Sequence, residues 1–104
     1  MFQEMLQGGS GGGTLDTFNF IGPPSFFSSD LAVNVEIGVY YLLITYSSDK
    51  KGLTIEGGNI VSQIKYPLHN TLYGPHYERF AIVKATSKKL RPLGFPYAIA
   101  KIDL

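Results

Sequence analysis

Cysteine is absent from the sequence, and only 16% of its 104 residues are charged. The first absence excludes disulfides, thiolate nucleophiles and cysteine-ligated metals, and is compatible with folding in a reducing cytoplasm. Nine Lys and Arg against eight Asp and Glu leave a formal charge of +1. That balance lacks the basic excess that nucleic-acid or anionic-membrane binding draws on, so neither is expected as a partner. Long apolar runs are missing too: the longest, residues 39–44, falls far short of the roughly 20 residues a membrane-spanning helix requires. No membrane insertion is expected. The start, Met1, Phe2, Gln3, Glu4, Met5 and Leu6, has no basic residue ahead of an apolar stretch, so no secretory signal is expected.

Hydrophobic residues are plentiful by contrast, at 44%. A charged share below the usual quarter or so implies a surface with apolar area that a lone monomer would not normally show, and self-association is the first reading. The length suits a single core.

Two regions divide the chain. Residues 1–13 comprise a short peptide and a spacer. Phe2, Met5 and Leu6 stand at helical i, i+3, i+4 spacing, so one turn would gather them on a face that needs a surface to bury it. Residues 8–13 read Gly-Gly-Ser-Gly-Gly-Gly, the composition of a flexible linker. The peptide is expected to dock on a neighbouring subunit or scaffold; a plain tail is the alternative. No Gly-Lys-Ser/Thr ending follows the glycines, so they do not form a phosphate loop.

Residues 14–104 read as β throughout. Leu31, Val33, Val35 and Ile37 alternate with polar or small residues, the period of a half-buried strand. Residues 39–46 follow Gly38 with apolar side chains on both faces: Tyr40, Leu42 and Ile44 on one, Val39, Tyr41 and Leu43 on the other. One of these sets is expected at an oligomer interface unless the four phenylalanines of residues 18–27 cover it. Gly57-Gly58-Asn59 between two β-prone runs resembles a hairpin turn. Residues 77–85 set Phe80 and Ile82 against Ala81 and Val83 on opposite faces, and residues 97–104 are expected to close a sheet. The fold class expected is all-β, a small β-sandwich of jelly-roll type or a compact barrel, behind a flexible glycine-rich N-terminal arm.

Reactive constellations are few. His69 and His76 are seven apart with no carboxylate between them, which does not match a helical zinc pair, and no metal or cofactor is expected. Glu36, Glu56 and Glu78 fall on separate strands and read as exposed carboxylates. No catalytic residue is assigned, and the chain is expected not to be an enzyme. Lys84, Lys88, Lys89 and Arg91 read as a solvated loop. The stretch holding Tyr66, His69, Tyr73, His76 and Tyr77 is a candidate binding loop, since tyrosine serves both sugar stacking and protein contact. The same rings would equally pack back over the end of the core.

The starting peptide Met1 to Leu6, the glycine spacer and the cysteine-free β-domain together resemble the small structural proteins of tailed bacteriophages and prophages. The resemblance spans the whole layout and rests on organisation. It implies a virion accessory of head-fibre, tail or baseplate type: made in the host cytoplasm, carried on the virion and bound to other virion structural proteins. It further implies a homo-oligomer, with a trimer favoured, and a host-surface glycan or protein as a possible ligand. A free carbohydrate- or protein-binding module, cytoplasmic, is the alternative.

Overall fold

Period-2 hydrophobicity and closely spaced Gly and Pro residues leave β-structure as the way to bury this chain's apolar side chains. The computed structural model describes residues 18–47, 52–67 and 77–104. Their nine strands are β1 (Asn19–Phe20), β2 (Ser25–Phe27), β3 (Val33–Asn34), β4 (Tyr40–Ser47), β5 (Ile55–Glu56), β6 (Gly58–Pro67), β7 (Tyr77–Ala85), β8 (Lys89–Pro92) and β9 (Tyr97–Asp103). All pairings are antiparallel. The larger sheet runs β1-β9-β4-β7-β6, with β2 also on β9; the smaller runs β3-β8-β5.

The two sheets share one hydrophobic cluster. Tyr41 and Leu43 of β4, Ala81 and Val83 of β7, and Tyr97 and Ile99 of β9 face Leu90 of the small sheet, with Val35, Leu53 and Phe95 filling the rim. This is the two-layer sandwich expected from the sequence. A second cluster lies on the opposite face of the large sheet, built from Phe18, Leu42, Ile44, Phe80, Ile82, Ala98 and Ile102. Strands β4, β7 and β9 are therefore apolar on both faces because both faces are buried.

Several expectations are corrected. Residues 57–59 do not turn a hairpin: β5 pairs with β8 and β6 with β7, so Gly57 and Gly58 carry the chain from one sheet to the other. Gly57 has φ +90, and a Cβ there would run into the Lys89 carbonyl, which is why glycine is needed. Residues 97–104 do not close an edge; β9 lies inside the sheet, between β4 and the line formed by β1 and β2. That line is one edge strand broken at Gly22-Pro23-Pro24, where proline cannot donate to the ladder. The alternating run from Leu31 to Ile37 yields only the two-residue β3, with Leu31 and Ile37 exposed. The basic stretch at residues 88–91 is not a loop throughout, because Leu90 and Pro92 point inward and make β8 the middle strand of the small sheet.

The proposed interface strand is core on both sides. Tyr41, Leu42, Leu43 and Ile44 are all buried within one chain, and Val39 and Tyr40 pack partly buried against the two clusters. Phe18 and Phe20 join the outer cluster, so part of the cover comes from the phenylalanine-rich segment. Apolar exposure at residues 39–44 gives no ground for an interface there.

Candidate functional site

Apolar side chains left in water mark where this domain has something still to bury. Ile37 and Phe26 are the most exposed of the large apolar side chains among the described residues, and each marks a place. The first is the end of the sandwich where β3 turns into β4. Val35 N donates to Lys88 O at 2.8 Å, and Gly38 N donates to Ala85 O at 2.8 Å, tying the turn to the β7–β8 connection. Val39 N donates to Glu36 O at 3.1 Å, closing a four-residue turn whose third residue, Gly38, has φ 86. That is the left-handed position a type II turn demands. The second position thrusts Ile37 outward, 59% exposed.

Polar contacts brace this turn. Glu36 N donates to the Tyr41 hydroxyl at 2.9 Å, and Lys101 Nζ donates to Glu36 Oε1 at 2.9 Å. The hydrogen bond to Glu36 holds the Lys101 ammonium above the ordinary lysine range, with partial desolvation opposing it. Ile21, also exposed, donates its N–H to Lys101 O at 2.9 Å from the neighbouring edge. Beside the turn lies an open recess of about 430 Å³ lined by Asn34, Val35, Glu36, Ile37 and Lys88. An apolar wall with one ammonium and one carboxylate at its rim suits contact with a polypeptide surface better than bond-making chemistry.

The second place is the outer face of the large sheet. Phe26 of β2 stands opposite Ala98, and the row continues through Ile44 and Phe80 to Ile64. Its inner members are buried, whereas Phe26 is 74% exposed. Phe27, one residue on, faces inward and stacks on Tyr97 at 5.3 Å.

Of the candidate binding loop, Tyr66 and Tyr77 fall in β6 and β7, at the end where those strands meet. His69, Tyr73 and His76 lie outside the described residues, as do Phe2, Met5 and Leu6 of the docking peptide. The carboxylates are apart: Glu36 binds Lys101, Glu56 Oε1 lies 2.8 Å from Arg91 Nη2, and Glu78 stands opposite Tyr46. Burial, then the Glu78 charge and its hydrogen bond, push the Tyr46 hydroxyl above its ordinary range. The basic residues divide between sheets, with Lys84 on β7, its Nζ 5.8 Å from the Tyr40 ring centroid, and Lys89 and Arg91 on β8.

Inside the sandwich a polar row crosses β7, β4 and β9 at Arg79, Thr45 and Tyr97. The Tyr97 hydroxyl donates to Leu31 O at 2.7 Å, and burial raises it above the usual tyrosine range. Thr45 is buried and its Oγ1 has no hydrogen-bond partner. Sequence reasoning passed over this row, since a lone Thr or Arg in a strand pattern reads as solvent-facing; it grouped Phe26 with the phenylalanines that could cover a sheet face, because alternation alone does not distinguish a buried aromatic from a stranded one.

Among the described residues no three His, Asp or Glu side chains gather where they would hold a metal ion, and no helix is long and apolar enough to cross a membrane. No protein-family model, no curated protein and no solved structure matches the chain.

Proposed function

We propose that the protein is a non-enzymatic structural or assembly component of a phage-like particle, attached through Phe2, Met5 and Leu6 and presenting an oligomeric β-domain. The observation that carries the assembly part is the exposure of Phe26 and Ile37 on a domain already poor in charge, which favours burial against a neighbour. The particle itself is supported by the layout of peptide, glycine spacer and β-sandwich. In this reading the tether lets the domain adjust its orientation on its support, and the stranded apolar residues meet a neighbouring copy or another virion protein.

The test is the mass of the protein at micromolar concentration by light scattering, for the wild type, Phe26→Asp and Ile37→Asp. The reading expects an oligomer, and at least one variant of lower mass with an unchanged circular dichroism spectrum. A wild type that is monomeric under these conditions overturns it. For attachment, purified particles should carry the full chain and lose it when residues 1–7 are deleted; equal incorporation of the truncated chain rejects the docking role.

A second reading, a free carbohydrate- or protein-binding module, is favoured by the recess beside residues 34–37. It requires a monomer with saturable binding that Ile37→Asp abolishes.

A further inference from the structure

The two sheets differ in width, and the difference leaves a ledge. Leu31 O accepts from the Tyr97 hydroxyl and Glu36 Oε1 from Lys101 Nζ, so the segment holding β3 is tied to β9 at both of its ends. Strand β3 is an edge of the small sheet, whereas the large sheet continues past β9 to the line of β1 and β2. On that line Ile21 bonds to Lys101 and Ser25 stands opposite Ile99, which sets both on the face that Tyr41 and Leu43 share. Ile99 is buried, but Ile21 and Ser25 are exposed.

The backbone of β3 is open toward this ledge. Val35 N donates to Lys88 O, and Val33 stands opposite Leu90, so the N–H and C=O groups of Val33 and Val35 point toward β8. Antiparallel alternation turns those of Ala32 and Asn34 the other way. The apolar period also runs further than the strand: Leu31 and Ile37 continue the phase of Val33 and Val35 at either end of β3, and both are exposed. Residues 31–37 contain no proline or lysine to discourage pairing.

We propose that the free edge of β3 takes up one extended segment of a partner protein, which becomes the fourth strand of the small sheet and lies over the β1–β2 line. Its inward side chains are apolar and cover Ile21 between Leu31 and Ile37. An outward carboxylate meets Lys88, which lines the adjoining recess and makes no ion pair among the described residues. Main-chain bonds to Ala32 and Asn34 hold the segment, and side chains select it. A second copy does not fit this edge through its own β3. Joining β3 to β3 about a twofold axis sets both large sheets on one side of the joined sheet, where each projects past its β3 by the β1–β2 line, and the projections collide. The inference rests on the recess as a polypeptide-binding surface, the second reading above, and adds the form of the bound segment.

The full-length protein is titrated with a fluorescent heptapeptide of alternating valine and threonine whose fourth residue is glutamate, and with two versions N-methylated on the odd or the even residues. Strand addition predicts saturable binding of the unmodified peptide and a loss of about tenfold or more for one methylated version only, the one whose methyl groups face β3. Asn34→Pro removes an N–H the fold does not use, and should abolish binding with little change in melting temperature. A lysine in place of the glutamate should weaken binding about threefold, and Lys88→Glu should reverse that order. In the free protein the Ala32 and Asn34 amides should exchange fast and become protected when peptide is added. Equal binding of both methylated versions, undiminished binding by Asn34→Pro, or an order that Lys88→Glu leaves unchanged overturns the proposal alone. No saturation by about 1 mM with the amides open overturns the protein-binding reading with it. Amides protected without peptide mean that the edge is already filled, by a second copy if light scattering gives a dimer and by the chain itself if it gives a monomer, and either overturns the proposal.

Discussion

Gly57 and Gly38 share a left-handed backbone, φ 90 and φ 86, but differ in what surrounds them. A Cβ on Gly38 would meet nothing within 4 Å, whereas one on Gly57 would strike the Lys89 carbonyl and lie 3.3 Å from Leu90 Cα, both backbone atoms of β8. Gly57 O also accepts from Thr86 N at 2.8 Å and Ser87 N at 3.2 Å, so moving it disturbs the β7–β8 turn. Gly38→Ala should cost only the left-handed penalty, about 1–2 kcal/mol, and Gly57→Ala about 3 kcal/mol or more. Urea unfolding of the two variants measures the difference, and equal costs would refute the close approach at Gly57. Thr45 invites the opposite kind of change. Its buried Oγ1 makes no hydrogen bond, so Thr45→Val removes an unsatisfied polar atom at nearly constant volume. That substitution should leave stability unchanged or raise it by up to about 1 kcal/mol. A loss above that amount would mean the hydroxyl has a partner.

At the scale of elements, what could be read locally was read and what depended on a distant partner was not. Strand β7 spans the residues the alternation marks, with Phe80 and Ile82 on one face and Ala81 and Val83 on the other. Its signal is complete within nine residues, because side-chain direction follows from the period alone. Strand β8 carries the same alternation over four residues, Lys89 and Arg91 outward against Leu90 and Pro92 inward. Two charges and a proline masked it. The Gly57-Gly58 pair satisfies a hairpin and a sheet-to-sheet crossing equally well, and only the choice of β7 and β8 as partners decides. The doubly apolar β4 was legible as a strand, but its second buried face required knowing that β9 and β7 flank it and that Phe18 reaches the same side. The exposed turn at Ile37 was hidden by a fourth apolar residue that keeps the period after the strand has ended. Edge management is visible in β6. The register shifts between Ile60 and Ser62, and Pro67 ends the strand, both devices that discourage pairing with another chain. Association through exposed side chains such as Phe26 is therefore better supported than extension of the sheet.

Across the whole molecule, two hydrophobic clusters share one layer of backbone. Strand β4 gives Leu43 to the inner cluster and Leu42 and Ile44 to the outer; β7 gives Ala81 and Val83 inward, Phe80 and Ile82 outward; β9 gives Ile99 and Ala98 in the same manner. Neither cluster can be lost while these strands keep their pairing, and the strands cannot separate without exposing both. The domain should accordingly unfold in one step, although its packing has two parts. Leu43→Ala and Ile82→Ala each open a cavity at a fully buried position, on opposite faces, and each should cost about 2–5 kcal/mol. In a Tyr40→Phe background, which removes the tyrosine packed on the outer cluster, the near-ultraviolet signal of the buried Tyr41 and Tyr97 reports chiefly the inner side, and far-ultraviolet circular dichroism reports the strands as a whole. In both variants the two signals should change together at a single lowered midpoint. If Ile82→Ala instead melts in two stages, with the tyrosine signal persisting after part of the strand signal has gone, the outer cluster is a separable layer. The large sheet would then depend for its stability on the small sheet alone.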